Sequence, residues 1–230
     1  NRFKCFNWTT LGAWEQISAE HDGATLVDGK MILGSQGEEL PEEQRRMKGR
    51  YILRGFRELN SSGVNVVKEF VTENPDLYSL PVQQHELRAM LTAAAREGRA
   101  DTVLTVVDEE SAYIKEYLEG NPKFLDLRKE TAREVVPIEY LGDVMNLLSQ
   151  GLTPCVKVGK GCYGLKRAIF DYEKGRDKRL LSVGAERVRR TRCVFKFEHL
   201  GKKCFIGFFV DDGILAGHQA AVKELLRRMQ

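Results

Sequence analysis

Apolar positions along this chain alternate between helical and strand spacing, and the switches between them mark most of its elements. From Gln84 to Gly98, Leu87, Met90, Leu91 and Ala94 recur at i, i+3, i+4 and i+7, while Arg88, Arg96 and Glu97 lie on other faces. This predicts an amphipathic helix stopped by Gly98. A second helical stretch is expected from about Lys166 to Leu181, ending at Gly184, and a third at the C-terminus through Ala221, Val222, Leu225, Leu226 and Met229. Strand-like runs are Tyr51-Ile52-Leu53, a β-branched run Val103–Val107 read as a buried strand ending at Asp108, and a hairpin. The hairpin pairs Cys193–Phe197 with Cys204–Val210 around Leu200-Gly201-Lys202-Lys203; Asp211-Asp212-Gly213 interrupts its second strand and Ile214-Leu215-Ala216 resumes it. Residues 1–45 are weakly patterned, with 34–37 and 38–43 read as loop, and 57–81 and 120–150 show no clear period. Helices and antiparallel strands without strict βαβ alternation predict an α+β fold.

Composition narrows the function classes. With 42% hydrophobic and 30% charged residues, the 230-residue chain is ordinary for a soluble globular protein. No run approaches the roughly 20 apolar residues of a membrane helix. The chain starts without Met or an apolar signal region and stops within a helical pattern, so a fragment of a longer polypeptide is expected. Five cysteines with no C-x-x-C pair, and no H-x-x-x-H spacing, argue against zinc and for a reducing, intracellular compartment. Net charge is only +3, but residues 151–206 carry 15 Lys and Arg against 5 Asp and Glu. Such a stretch suits a polyanion, or is simply a solvated basic face.

The chemistry is expected from carboxylates. Asp211-Asp212 follows an apolar strand, where two adjacent anions are costly unless a cation compensates. Mg²⁺ does so with a few carboxylate oxygens plus substrate phosphates. Asp108 closes another apolar strand, and if the two strands are neighbours the three acids converge on one edge of a sheet, as two-metal phosphoryl transfer requires. The competing reading of Asp211-Asp212-Gly213 is an Asp-Gly hairpin turn.

Phe209-Val210-Asp211-Asp212, followed by Gly213-Ile214-Leu215-Ala216-Gly217, resembles the YVDD motif of copia-type retrotransposon reverse transcriptases. Upstream, Tyr163-Gly164-Leu165-Lys166-Arg167-Ala168 resembles that family's YGLKQAPR motif, and Arg192-Cys193-Val194-Phe195 its D-x-C-(V/L)-(F/Y) strand. Asp108 to Ile114 is similar to DVKTAFL, Lys48 to Phe56 to KARLVARGF, and His85 to Leu91 lies where a fingers helix precedes the first catalytic strand. Order and spacing are kept over roughly residues 45–230.

The resemblance implies a right-hand polymerase with a ferredoxin-like, antiparallel palm. It implies an N-terminal extension over 1–45, fingers over 46–104 and 118–165, and palm over 105–117 and 166–230. Thumb and ribonuclease H would belong to the remainder of a Pol polyprotein. It implies RNA-directed DNA synthesis with Mg²⁺, or Mn²⁺, on Asp108, Asp211 and Asp212, with Asp108 and Asp211 bridging the ions. Lys48 and Arg50 would grip the triphosphate, Tyr113 would sit under the nucleotide sugar, Gly164 would allow close backbone approach, and Lys166 would lie nearby. Arg167 and Phe209 would touch nucleic acid. Partners would be an RNA template, an RNA–DNA or DNA duplex, and deoxynucleoside triphosphates.

Departures from the motifs are Arg167 for Gln, Ile169-Phe170 for Pro-Arg, Phe209 for Tyr, and the acids Glu109 and Glu110 beside Asp108. Two rivals therefore stand: a catalytically inactive relic or domesticated protein that binds nucleic acid, and another palm-type enzyme such as a nucleotide cyclase.

Overall fold

The structure is a computed structural model that describes residues 4–37, 39–73, 81–109 and 112–230. The chain opens with β1 (Phe6–Ala13), α1 (Trp14–Glu20), β2 (Thr25–Gln36), β3 (Arg46–Leu59) and α2 (Val67–Glu73). Next come α3 (Gln84–Gly98), β4 (Thr102–Asp108), α4 (Ala112–Lys115), β5 (Lys123–Asp126), α5 (Glu130–Arg133), α6 (Ile138–Ser149) and β6 (Pro154–Val158). It closes with α7 (Lys166–Ser182), β7 (Glu186–Arg187), β8 (Val194–His199), β9 (Lys202–Phe209), β10 (Asp212–His218) and α8 (Gln219–Met229). The class is mixed α+β, with two sheets that are mainly antiparallel. No helix of the described residues is long and apolar enough to cross a membrane.

Two units form, each discontinuous in sequence: Asn1–Leu77 with Tyr113–Asp171, and Tyr78–Ala112 with Tyr172–Gln230. These divisions differ from the boundaries expected for fingers and palm. Residues 81–104 pack with the second unit, where Met90 Sδ lies 3.1 Å from the point a Cβ on Gly207 would occupy. Residues 113–117 and 166–171 fall in the first unit.

The first unit holds the sheet β1-β6-β5-β2-β3, antiparallel throughout except for the parallel pair β2–β5. Leu26, Phe124, Cys155 and Trp14 form part of its core. Polar groups are buried there too. Lys123 of β5 is ion-paired with Glu58 of β3, and Thr25 of the intervening β2 donates to the same Glu58 carboxylate at 3.4 Å. Three strands are thereby joined on one side by a single charge pair. The weakly patterned N-terminus thus supplies two strands. The segment 34–37, read as loop, is mostly strand, and Glu42–Gln44 form a short 3-10 helix before β3.

In the second unit the sheet order is β4-β10-β9-β8-β7, antiparallel throughout. Phe195, Phe197, Ile206, Phe208 and Leu215 line the face packed against Leu180 of α7 and Val222 and Leu225 of α8. The opposite face carries α3 over Gly207. The chain does not resume one strand after the acidic pair, as expected; it reverses at Val210-Asp211, and β10 returns between β9 and β4. β4 is not buried, because it is the edge strand: Leu104 and Val106 are 64% and 68% exposed, while Val103 and Val107 pack on the core.

All five cysteines are buried and free. Burial pushes the thiols of Cys155 and Cys204 up to about 12 and that of Cys193 to about 11, so none of these three is a thiolate near neutral pH.

Candidate active site

The β9–β10 hairpin places the acids. Its loop is Val210-Asp211, with Phe209 and Asp212 as the closing pair. The hairpin-turn reading of these acids holds in part: the chain does turn here, but the loop lies one residue earlier, with Asp211 in it and Asp212-Gly213 already strand. Val210 has φ of 62°, a position where hairpins ordinarily use glycine and where a β-branched residue is strained.

Across the sheet, Asp212 is the direct register partner of Asp108. Opposed residues of an antiparallel pair share a face with Cβ atoms about 4.5–5.5 Å apart. Both side chains are exposed, and Asp211, one residue earlier in the turn, is half-exposed. The neighbour brought opposite Asp108 is thus Asp212 rather than Asp211. The backbone of Asp211 also joins, since Glu109 N–H donates to its carbonyl at 3.3 Å. Among the described residues no cation pairs with any of the three acids. Like charges in this position cost about 0.2–1 kcal/mol when nothing compensates them.

A hard divalent cation fits this donor set, because carboxylate oxygens are its preferred ligands and Mg²⁺ needs only one or two of them besides water and phosphate. A closed protein cage is not present: among the described residues no three Asp, Glu, His or Cys side chains gather tightly enough to enclose a metal. Phe209 is 59% exposed and shares the face of Asp212.

Beside the acids stand residues whose roles were not legible in the sequence. Glu109 does not join the acidic face. Its carboxylate accepts from the Tyr172 hydroxyl at 2.6 Å and from Arg179 at 3.0 Å. Burial and then this bond hold the Tyr172 phenol well above its ordinary range. Arg176, 2% exposed, donates to the Val210 carbonyl at 3.2 Å and lies 4.4 Å over the Phe208 ring. Burial opposes its charge, but Asp177 and Glu173 outweigh that and raise its pKa. Their spacing along α7 is the signal that was there to read, and it was obscured because the helix is polar nearly throughout. Glu110 lies outside the described residues.

The expected nucleotide-binding residues Lys48, Arg50, Tyr113, Gly164 and Lys166 all belong to the first unit. Lys48 and Arg50 are exposed and alternate on one face of β3. The Arg50 guanidinium stands 5.8 Å over the ring of Tyr163, whose edge meets Tyr113 at 4.8 Å between centroids. Tyr113 is only 7% exposed. Lys166 is exposed at the start of α7.

Two of the expected site residues are engaged within the first unit. Arg167, expected on nucleic acid, is bound to Asp171 at 3.1 Å and Glu119 at 3.5 Å with its side chain 16% exposed. Gly164, expected to admit a ligand backbone, instead admits β3: its φ is 94° and a Cβ would stand 1.9 Å from the Leu53 carbonyl oxygen. Leu53 N–H donates to Tyr163 at 2.8 Å, so this strand and the glycine segment are locked together. Gly164→Ala is expected to destabilise the chain by about 2–3 kcal/mol, from backbone strain and overpacking together, read as a lower denaturant midpoint. An unchanged midpoint would refute this packing role.

No family model, curated protein or solved structure matches this chain.

Proposed function

We propose that this chain is the fingers-and-palm portion of a copia-type reverse transcriptase that extends a primer on RNA, and then on DNA, from deoxynucleoside triphosphates. The observation that carries the reading is the register of β4 against β10, which sets Asp108 and Asp212 opposite each other at one exposed sheet end with Asp211 in the adjoining turn. The second unit supports it further. Strand β4, helix α7, strands β9 and β10 and helix α8 follow one another with β10 between β4 and β9, as in a ferredoxin-like palm lacking its last strand.

Asp108 and Asp212, with Asp211 beside them, would hold Mg²⁺ or Mn²⁺. Bound there, the metal would supply activation of a primer 3′-hydroxyl and neutralisation of triphosphate charge. Phe209 presents an apolar face next to the acids, where a base or sugar could rest. Lys48 and Arg50 offer a point charge and a planar fork to phosphate oxygens. An RNA–DNA duplex would be gripped through backbone and shape rather than base edges. The thumb and ribonuclease H of a Pol polyprotein would complete the enzyme.

A second reading, a nucleic-acid-binding relic, would keep the basic stretch of residues 151–206 without catalysis. Extension of a labelled DNA primer on an RNA template, with Mg²⁺ or Mn²⁺ and with chelator, separates the two. Metal-dependent extension is expected. Duplex binding without extension, together with no Mn²⁺ binding, would leave the relic; a cyclic nucleotide made without template would indicate the cyclase class.

A further inference from the structure

We propose that one stripe of α7, formed by Tyr172, Arg176 and Arg179, positions the carboxylate pair by holding the ends of both strands that carry it. The functional half of this inference rests on the polymerase reading above; the mechanical half does not.

The three residues fall at i, i+4 and i+7, so they share a face of the helix. Tyr172 and Arg179 both reach Glu109, the residue directly after Asp108. Tying Glu109 to α7 stops the end of β4 from rotating, and Asp108 keeps its place across from Asp212. The acid that departs from the family motif thus acquires a use as an anchor on the helix.

Arg176 acts on the other strand end. Nε and one terminal nitrogen of its guanidinium bind Asp177 Oδ1 at 3.2 and 3.0 Å, and the remaining nitrogen reaches Val210 O at 3.2 Å. Val210 is the strained residue of the turn. A peptide held in a sparsely populated conformation persists only where its surroundings over-determine it. The buried guanidinium is such a restraint, and its fork is geometry that lysine cannot reproduce. Without it the Val210–Asp211 peptide is free to turn, which would re-aim Asp211 and shift Asp212 against Asp108.

Arg176→Lys in the 230-residue chain is the discriminating variant. Amide hydrogen exchange over residues 207–215 is expected to accelerate at least about tenfold, with α3 and β8 unchanged, and Mn²⁺ affinity to weaken about tenfold, as for supporting residues of metal sites. Tyr172→Phe, which removes one hydroxyl and keeps the packing, should loosen residues 104–109 instead and serves if Arg176→Lys does not fold. Unchanged exchange at the hairpin would overturn the proposal. So would faster exchange with unaltered Mn²⁺ affinity, because α7 would then be structural only. If the unaltered chain binds no Mn²⁺ yet its hairpin loosens in Arg176→Lys, the positioning stands and the polymerase reading falls.

Discussion

Asp212→Asn is expected to reduce metal-dependent primer extension at least about a hundredfold while making the metal-free protein slightly more stable. On the proposed reading Asp212 is one of the few anionic ligands in an incomplete cage. A bound metal contributes several kcal/mol of charge stabilisation in the transition state, and each roughly 1.36 kcal/mol is tenfold in rate. Asn keeps the shape of Asp, so the ladder to Asp108 and Phe209 is retained. It also removes a like charge directly across from Asp108, which should make the metal-free protein up to about 0.2–1 kcal/mol more stable. Activity and stability therefore move in opposite directions, a signature that misfolding does not produce. Single-turnover extension and a thermal melt of the same sample test both halves; extension at the original rate would remove Asp212 from the site.

Lys123→Met is expected to destabilise the first unit by about 3–5 kcal/mol, a large part of an ordinary domain's stability. Lys123 and Glu58 are 6% and 4% exposed, so losing the lysine strands a carboxylate in the core. The Thr25 hydroxyl stands at a long 3.4 Å. The cost lies in the orphaned charge rather than in the lost attraction. Replacing both partners, as Lys123→Met with Glu58→Leu, should therefore recover most of the loss. Chemical denaturation of the single and double variants measures this. A single variant as stable as the parent would mean that water reaches Glu58.

These two outcomes fall on regions of unequal legibility. The β8–β9 hairpin that leads to the acids was readable because β8 and β9 bury alternate apolar residues beside a tight turn at Leu200-Gly201. Helix α3 matches its expected span because its apolar stripe and terminal glycine are both clear. Lys123 and Glu58 were invisible, since charged residues in strands read as solvent-facing until a partner from another strand is known. The first two strands were missed for a related reason. β2 is interrupted by Gly29 and Gly34, and its distal half, with Ile32 and Leu33 exposed, carries no buried face to impose a period. β4 was placed correctly but judged buried, because a β-branched run shows the strand and not its rank in the sheet. The register of Asp108 against Asp212 was conditional on strands being neighbours, a fact of topology that spacing alone does not contain.

The pairing of β4 with β10 also has a consequence in time. About a hundred residues separate Asp108 from Asp212, and every one of them leaves the ribosome before the two strands can meet. At roughly 5–20 residues per second, β4 waits seconds with Val103 and Val107 uncovered and its ladder unmade. Contacts this distant in sequence also close slowly once the chain is free. Until β10 arrives, Asp108 has no Asp212 across from it, so the like-charge repulsion between them is deferred to one of the last rungs of the second unit's sheet to form.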